Sequence, residues 1–188
     1  MAVYSDWTIV TMAMHTRSKK DIPVVHNYEI EPENSRKTKR KQYFVQRRGK
    51  DEHHMVLALN KKHREEIINH SKEVYPLEAC GMLVGSRELR KRIVFEVRTA
   101  RNVLNSSSSY EVDPEVELQV FIDAEEKSLE VVGMYHSHPH WTATPSSVDA
   151  DLAFFEDVSY VIYSVSENSM ASYVWNGRSF EPEEIEIR

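Results

Sequence analysis

The sequence predicts an α/β fold in which a mixed, curved β-sheet is flanked by helices. Short apolar runs alternate with stretches of helical period along residues 55–188. Proline and glycine stand at the junctions between these runs, as at Pro76, Pro114 and Gly177. The chain is 40% hydrophobic and 29% charged, which is the balance of a globular protein and excludes a membrane-spanning or wholly disordered one.

The strand and helix patterns follow one another from Met55 onward. Apolar runs of strand composition occur at 55–59, 79–85, 92–100, 129–138, 160–166, 171–176 and 179–188. Stretches of helical period cover about 60–74, 114–128 and 146–155. Asn60 can cap the first helix and Pro114 can open the second. Asn176-Gly177 separates the last two strand runs and predicts a hairpin turn.

Residues 1–54 differ from the rest of the chain in charge. They hold 11 Lys and Arg against 7 Asp and Glu, a net of +4, whereas residues 55–188 hold 13 against 23, a net of −10. We therefore predict a basic, poorly ordered N-terminal extension at 1–54 and one folded domain at 55–188. Two other interpretations of the extension stay open: a basic arm that contacts an acidic partner or nucleic acid, and a natural start of the protein at Met55.

Composition also bears on compartment and partners. No stretch approaches the roughly 20 apolar residues of a membrane span, and the N-terminus lacks the charge-then-apolar order of a secretory signal. The single cysteine, Cys80, excludes an internal disulfide and fits a reducing compartment. We predict a cytoplasmic protein without a membrane partner, and the acidic balance of 55–188 argues against nucleic acid as its chief partner.

Two histidines, His136 and His138, end the strand predicted at 129–138. Alternation along a strand places both imidazoles on one face, and neutral imidazole is a zinc ligand. Asp149 follows in the first turn of the third predicted helix, so its carboxylate can point back toward the histidines. Two histidines and one carboxylate leave a fourth tetrahedral position for water, which is the pattern of a catalytic zinc site.

Each part of this constellation also has a structural interpretation. Histidines two positions apart occur on strands that bind no metal, and Ser146-x-x-Asp149 resembles a helix capping box. The order of the parts favours the metal site: His-Ser-His-Pro, then five residues, then Pro-Ser-x-x-Asp.

These motifs resemble those of the JAMM, or MPN-plus, zinc metallopeptidases. The signature HSHP-x5-PSxxD of that family is accompanied by an upstream segment of the form P-x-E-x-C-G-x-L-x-G. The run from Pro76 to Gly85 matches this segment, with Glu78 at the acidic position. The resemblance covers about residues 55–188 and implies a single MPN domain of the stand-alone, prokaryote-like kind.

The resemblance implies a role for each of five residues. His136, His138 and Asp149 would hold one Zn²⁺ per chain. Glu78 would act as general base on the zinc-bound water, and Ser146 would donate a hydrogen bond to the developing oxyanion. Without its flanking motif, Glu78 would be interpreted as a solvated acid that follows a helix.

Three further positions near these motifs have weaker assignments. His140 and Trp141 can line a substrate groove, with exposed loop positions as the alternative. Cys80 is interpreted as a small buried hydrophobe rather than a redox-active thiol. The segment Ser106–Ser109 is interpreted as a plain linker, with a flap near the cleft as the alternative.

The resemblance implies hydrolysis of the amide after the C-terminal glycine of ubiquitin or a ubiquitin-like protein, as in a deubiquitinase. The extended tail of that partner would lie along a strand edge. Two alternatives remain open: a peptidase that releases cysteine or another amino acid from a ubiquitin-like sulfur-carrier protein, and a non-catalytic MPN scaffold subunit. All five site positions are filled, which argues against the scaffold. The oligomeric state is not specified by any of these patterns.

Overall fold

The computed structural model describes residues 55–188, and the predicted extension at 1–54 lies outside the described residues. Each predicted strand and helix of this part is present within a few residues of its predicted bounds. The strands are β1 (Val56–Leu59), β2 (Cys80–Glu88), β3 (Lys91–Ala100), β4 (Glu130–His138), β5 (Ser159–Ser164), β6 (Ser169–Trp175) and β7 (Phe180–Ile187). The helices are α1 (Lys61–Glu73), α2 (Pro114–Glu126) and α3 (Ser147–Leu152). Within residues 55–188 no helix has the length and apolarity needed to cross a membrane.

The sheet is a closed barrel, whereas the sequence predicted a curved sheet flanked by helices. The strand order is β1-β3-β2-β4-β5-β6-β7, and β1 closes the ring by pairing in parallel with both β3 and β7. Strands β4 and β5 are also parallel and the remaining neighbours are antiparallel, so the sheet is mixed as predicted. Closure was not predicted because the partners of β1, at 91–93 and 184–187, lie far along the chain and leave no local pattern.

Helix α1 forms where the sequence places its cap. Asn60 is extended, and its side chain accepts a hydrogen bond from the His63 amide at 2.7 Å. This bond satisfies one of the free amides of the first turn. Ile67 is fully buried in the same apolar cluster as Leu57 and Leu59, so the helix is anchored to the first strand.

Helices α1 and α2 cover two different apolar clusters. Leu83 belongs to the cluster under α1, whereas Met82 belongs to the one to which α2 contributes Val120 and Ala124. Consecutive residues of β2 therefore face opposite clusters, as expected of a strand that is buried on both faces. The neighbouring strand β4 divides its side chains in the same way, since Met134 and the following Tyr135 fall in different clusters.

Helix α3 is shorter than predicted. It ends at Leu152 because Ala153 adopts an extended conformation, with φ −64° and ψ 116°. The change of direction packs Ala153 and Phe155 against the apolar cluster under α2. Packing against a distant part of the fold thus ends the helix before residue 155, where no glycine or proline marks a boundary.

Candidate metal centre

Strand β4 carries both predicted histidines at its carboxyl end. His136 and His138 are 1% and 4% exposed, and their Nε2 atoms lie 3.1 Å apart. Strand β4 lies between β2 and β5, so its backbone is paired on both sides. Nδ1 of His138 donates a hydrogen bond to the carbonyl of Thr142 at 2.7 Å. This bond fixes the ring and leaves its Nε2 free to bind a metal.

Helix α3 brings Asp149 to the same point. Its Oδ1 lies 3.0 Å from Nε2 of His136, and its Oδ2 lies 3.5 Å from Nε2 of His138. The helix also begins with a capping box, in which Ser146 Oγ accepts from the Asp149 amide at 3.2 Å and Asp149 Oδ2 accepts from the Ser146 amide at 2.6 Å. The capping and ligand interpretations are therefore compatible, since Oδ2 caps the helix while Oδ1 faces His136.

These three side chains form a group that can hold a metal ion. One donor atom from each lies within 4.8 Å of the others, and all three residues are buried. Two imidazole nitrogens that face each other beside a carboxylate need a shared proton or a shared cation between them. The donor set of two nitrogens and one carboxylate oxygen is that of a catalytic zinc site.

The charges of the three side chains are coupled. Burial opposes ionisation of Asp149, but hydrogen bonds from His136 and His138 outweigh it and hold the pKa of Asp149 well below its usual range. Burial lowers the pKa of His136. For His138, burial is outweighed by its hydrogen bonds to Asp149 and Thr142, so its pKa is raised. An ionised carboxylate beside a neutral His136 is ready to receive a cation.

Glu78 lies beside His138 although the two are far apart in sequence. Cys80 pairs with His136 in the antiparallel register of β2 and β4. The hydroxyl and amide of Ser137 continue the pairing through hydrogen bonds of 2.9 and 3.0 Å to the residue between Glu78 and Cys80. Extending this register by two residues places Glu78 opposite His138 and on the same side of the strand.

The carboxyl group of Glu78 is buried, and one of its oxygens is unsatisfied among the described residues. The residue is 3% exposed, and its Oε2 has no hydrogen-bond partner among the described residues. Burial raises the pKa of Glu78 to about 7; His138 opposes this rise and Asp149 adds to it. A carboxyl group with a pKa near neutrality can both take up and release a proton at physiological pH.

Two residues next to the centre were not predicted from the sequence. Tyr110 stacks on His136 with ring centroids 4.4 Å apart and an interplanar angle of 21°. Asn102 donates to the carbonyl of Glu78 at 3.1 Å, and the Glu78 amide donates to the carbonyl of Ser106 at 2.9 Å. The interpretation of Ser106–Ser109 as a plain linker is therefore wrong at Ser106. No local pattern marks these contacts, because they depend on how an irregular loop folds back onto the barrel.

The weaker candidates lie immediately after the histidine motif. Trp141 is 52% exposed, and its carbonyl accepts a hydrogen bond from the Ser164 hydroxyl at 2.6 Å. The His140 ring contacts Trp141 and Tyr75 edge to face, with centroids 5.9 and 5.6 Å away. Cys80 is fully buried in the cluster under α2, and burial raises the pKa of its thiol to about 12, which confirms its interpretation as a buried hydrophobe.

The chain is similar to a known protein family, to two named enzymes and to a solved structure. The family model described as prokaryotic homologs of the JAB domain matches residues 60–176, which include all five predicted site residues. A desampylase of Haloferax volcanii is 31% identical over 132 residues, which are 66% of this chain and 91% of the relative. A CysO-cysteine peptidase of Mycobacterium tuberculosis is 30% identical over 112 residues, which are 60% of this chain and 75% of the relative. A protein of Desulfitobacterium hafniense whose structure was solved in solution is 32% identical, with a TM-score of 0.66 over 71% of this chain and 93% of its own.

Proposed function

This chain belongs to the family of prokaryotic homologs of the JAB domain, and we propose that it is a zinc-dependent isopeptidase. Its substrate would be the amide after the C-terminal glycine of ubiquitin or a ubiquitin-like modifier. The observation that carries the proposal is the convergence of His136, His138 and Asp149 beside a buried, partly unsatisfied Glu78. The family membership confirms the resemblance drawn from the motifs, and the relatives named as a desampylase and a peptidase favour an enzyme over a scaffold.

We assign one Zn²⁺ to His136, His138 and Asp149. A zinc ion in such a site lowers the pKa of its water toward about 7 and polarises a substrate carbonyl. The protein holds the two rings on β4 and the carboxylate on α3. Nδ1 of His138 carries the proton that it donates to the Thr142 carbonyl, so Nε2 is unprotonated and free to bind the metal.

Glu78 is the proposed general base. Burial raises the pKa of Glu78 in the metal-free protein, and its carboxylate would accept a proton from the attacking water and pass it to the leaving amine. Its burial keeps competing solvent away from the transferred proton. A positioned acid–base group of this kind contributes a factor of about 10² to 10⁴ to the rate.

Ser146 is the proposed donor to the developing oxyanion. Its hydroxyl donates to Asp149 Oδ2 at 2.6 Å in this structure, so the oxyanion role requires the hydroxyl to turn away from that oxygen. The helix start stays tied during this rotation because the Ser146 amide also donates to Asp149 Oδ2.

A cleft of about 370 Å³ opens beside Glu78, and we assign it to the C-terminal tail of the substrate. Thr99 of β3 lines this cleft together with Arg101 and Asn102, which follow the strand, and with His70 of α1. From Val94 onward, β3 pairs only with β2 among the described strands. An extended tail can therefore add backbone hydrogen bonds to β3, as the sequence-based expectation of strand addition requires.

We assign His140 and Trp141 to the part of the site that contacts the leaving group. The backbone that carries Trp141 is held by Ser164, while about half of the indole remains exposed. A large aromatic ring on a fixed backbone offers contact area to a partner at a low cost in conformational entropy.

The second candidate is a peptidase that releases cysteine or another amino acid from a ubiquitin-like sulfur carrier. The 30% identity to a CysO-cysteine peptidase favours it. The two candidates share the tail and the hydrolysed bond type, and they differ in whether a protein lysine or a single amino acid leaves.

Cleavage assays with the full chain, loaded with Zn²⁺, test both candidates. Two substrates are made from one ubiquitin-like protein that ends in Gly-Gly: one joined through an isopeptide bond to a lysine-containing peptide, the other extended by a C-terminal cysteine. Cleavage of the first, abolished by a chelator and restored by zinc, supports the isopeptidase. Cleavage of the second alone supports the carrier peptidase. A folded protein that lacks stoichiometric metal when prepared without chelator, and that cleaves neither substrate, would point to the scaffold.

A further inference from the structure

We propose that Asn102 and Tyr110 are positioning residues, and that the loop 102–112 holds the general base and one metal ligand in register with each other. This inference rests on the proposed function and extends it to residues that no motif singled out. Three observations support it: the loop is built as one unit, it bonds the backbone of Glu78, and it stacks on the ring of His136.

The loop is built around the side chain of Asn102, which is 7% exposed. The amide group of Asn102 donates to the carbonyls of Ser106 and Ser109 at 3.4 and 3.1 Å. Its side-chain oxygen accepts from the amides of Leu104 and Glu111 at 3.1 and 3.2 Å. The two ends of the loop also form an antiparallel bridge. Because one side chain bonds both the middle and the ends, the loop is expected to move as a unit.

This loop fixes the backbone of Glu78 on both sides. Asn102 Nδ2 donates to the Glu78 carbonyl at 3.1 Å, and the Glu78 amide donates to the carbonyl of Ser106 at 2.9 Å. Glu78 lies two residues before β2 begins at Cys80, so the strand ladder does not hold it. The position of the catalytic carboxylate therefore depends on the loop and not only on the barrel.

The same loop also holds the ring of His136. The two metal-binding histidines are oriented in different ways: Nδ1 of His138 donates to Thr142, whereas Nδ1 of His136 has no hydrogen-bond partner among the described residues. A ligating histidine is normally oriented through its second nitrogen. The ring of His136 is instead oriented by the stacked ring of Tyr110, whose centroid lies 4.4 Å away at an interplanar angle of 21°.

Loosening the loop is expected to displace Glu78 and the His136 ring while His138 and Asp149 keep their own supports. A misplacement of about 1 Å typically costs on the order of 10²-fold in rate. The expected signature is a fall in kcat that exceeds the change in KM. Asn102 also lines the cleft assigned to the substrate tail, but its polar atoms bond the loop and the Glu78 backbone.

The first test compares Asn102→Ala with Asn176→Ala. Asn176 stands in the turn between β6 and β7, and its side chain bonds four groups, against five for Asn102. Asn102→Ala should lower kcat by on the order of 10- to 100-fold, with a smaller change in KM and one zinc per chain by metal analysis. Asn176→Ala should lower the thermal midpoint and leave kcat unchanged. The proposal is overturned if kcat of Asn102→Ala stays near wild type, or if both variants lose kcat in proportion to their stability.

The second test does not need the enzyme to be active, and it works even if Asn102→Ala fails to fold. In the wild-type protein, the backbone amide of Glu78 should exchange its hydrogen at the same rate as the amides of Leu104 and Glu111, which indicates one shared opening motion. In parallel, Tyr110→Phe should keep the ring-current shift of the His136 proton resonances and the zinc affinity measured by chelator competition, whereas Tyr110→Leu should lose both. Exchange of Glu78 independently of the loop, or an unchanged His136 in Tyr110→Leu, would refute the positioning role. If neither substrate is cleaved, the proposed function fails while these readouts still decide the inference.

Discussion

Two glutamates are buried in the same barrel, and burial raises the pKa of both, but their hydrogen-bond partners differ. Glu183 is 8% exposed, and both of its oxygens are used: Oε1 accepts from Arg92 at 2.5 Å and Oε2 from the Ser172 hydroxyl at 2.6 Å. Glu78 is 3% exposed, its Oε2 has no partner among the described residues, and Asp149 acts on it with the same sign of charge. We therefore expect the Glu183 carboxylate to stabilise the fold and the Glu78 carboxylate to serve the proton transfer proposed above.

The counter-charges of the two glutamates differ as well. Arg92 is fully buried and also donates to the side chain and the carbonyl of Asp157, at 2.7 and 3.1 Å, so its charge is matched by protein groups. At the metal centre the counter-charge would come from the proposed zinc. We expect the first cluster to respond mainly in stability and the second mainly in activity.

The largest expected effect is on the catalytic rate. Glu78→Gln should lower kcat by about 10²- to 10⁴-fold, because the amide cannot accept a proton. Zinc content should stay at one per chain, since Glu78 is not among the three proposed ligands. Initial rates and metal analysis test this, with Glu183→Gln as the matched control that loses stability and keeps kcat. Full activity of Glu78→Gln would contradict the proposed role of Glu78 as general base.

The second prediction concerns the stability that the ion pair between Arg92 and Glu183 gives to the fold. Arg92→Met leaves Glu183 buried without its cation, which should cost about 3–5 kcal/mol in the free energy of unfolding. Urea denaturation measures the loss. The double variant Arg92→Met with Glu183→Met should recover much of it, since no unpaired charge remains. A loss below about 1 kcal/mol in the single variant would show that this pair does not anchor the fold.

Two helix caps provide a third contrast of the same kind. Ser146→Ala and Asn60→Ala each remove a capping side chain and should each cost about 1 kcal/mol of stability. Only Ser146→Ala should also lower kcat, by about 10²- to 10³-fold, because it removes the proposed oxyanion donor. If both variants lose stability and neither loses kcat, capping alone explains Ser146.

A further expected effect is a pH dependence of stability in the metal-free protein. The pKa of Glu78 is raised from 4.5 to about 7 by burial, so the folded state binds this proton more tightly than the unfolded state. Its contribution is present in full below about pH 4.5 and is lost as the pH rises through about 7. Relative to Glu78→Gln, the wild type should lose about 3 kcal/mol between these limits. Urea titrations across this range measure the difference, and a constant difference between the two proteins would contradict the raised pKa.

Much of the candidate metal centre was predictable because its parts are local. Strand alternation pairs His136 with His138, and one turn of helix joins Ser146 to Asp149. Glu78 was predicted only through its resemblance to a family motif, since its place beside His138 depends on the register between β2 and β4.

The remaining features depend on contacts between distant segments. Closure of the barrel by β1 joins 56–59 to 91–93 and 184–187, and alternation within four residues does not specify a partner. Tyr110 and Asn102 act from a loop without periodicity, and no sequence pattern separates their roles from those of other loop residues.

Closure by β1 also sets the order in which the domain can mature during synthesis. Val56–Leu59 is made early, whereas its partner β7 is completed only at Ile187, and the amide of Arg188 then donates to the Leu59 carbonyl at 2.8 Å. Until β7 has left the ribosome, β1 and β6 each keep an unpaired edge, and such edges recruit chaperones or other chains. We therefore expect the nascent domain to gain resistance to proteases in one late step, after the residues of the candidate metal centre have already emerged.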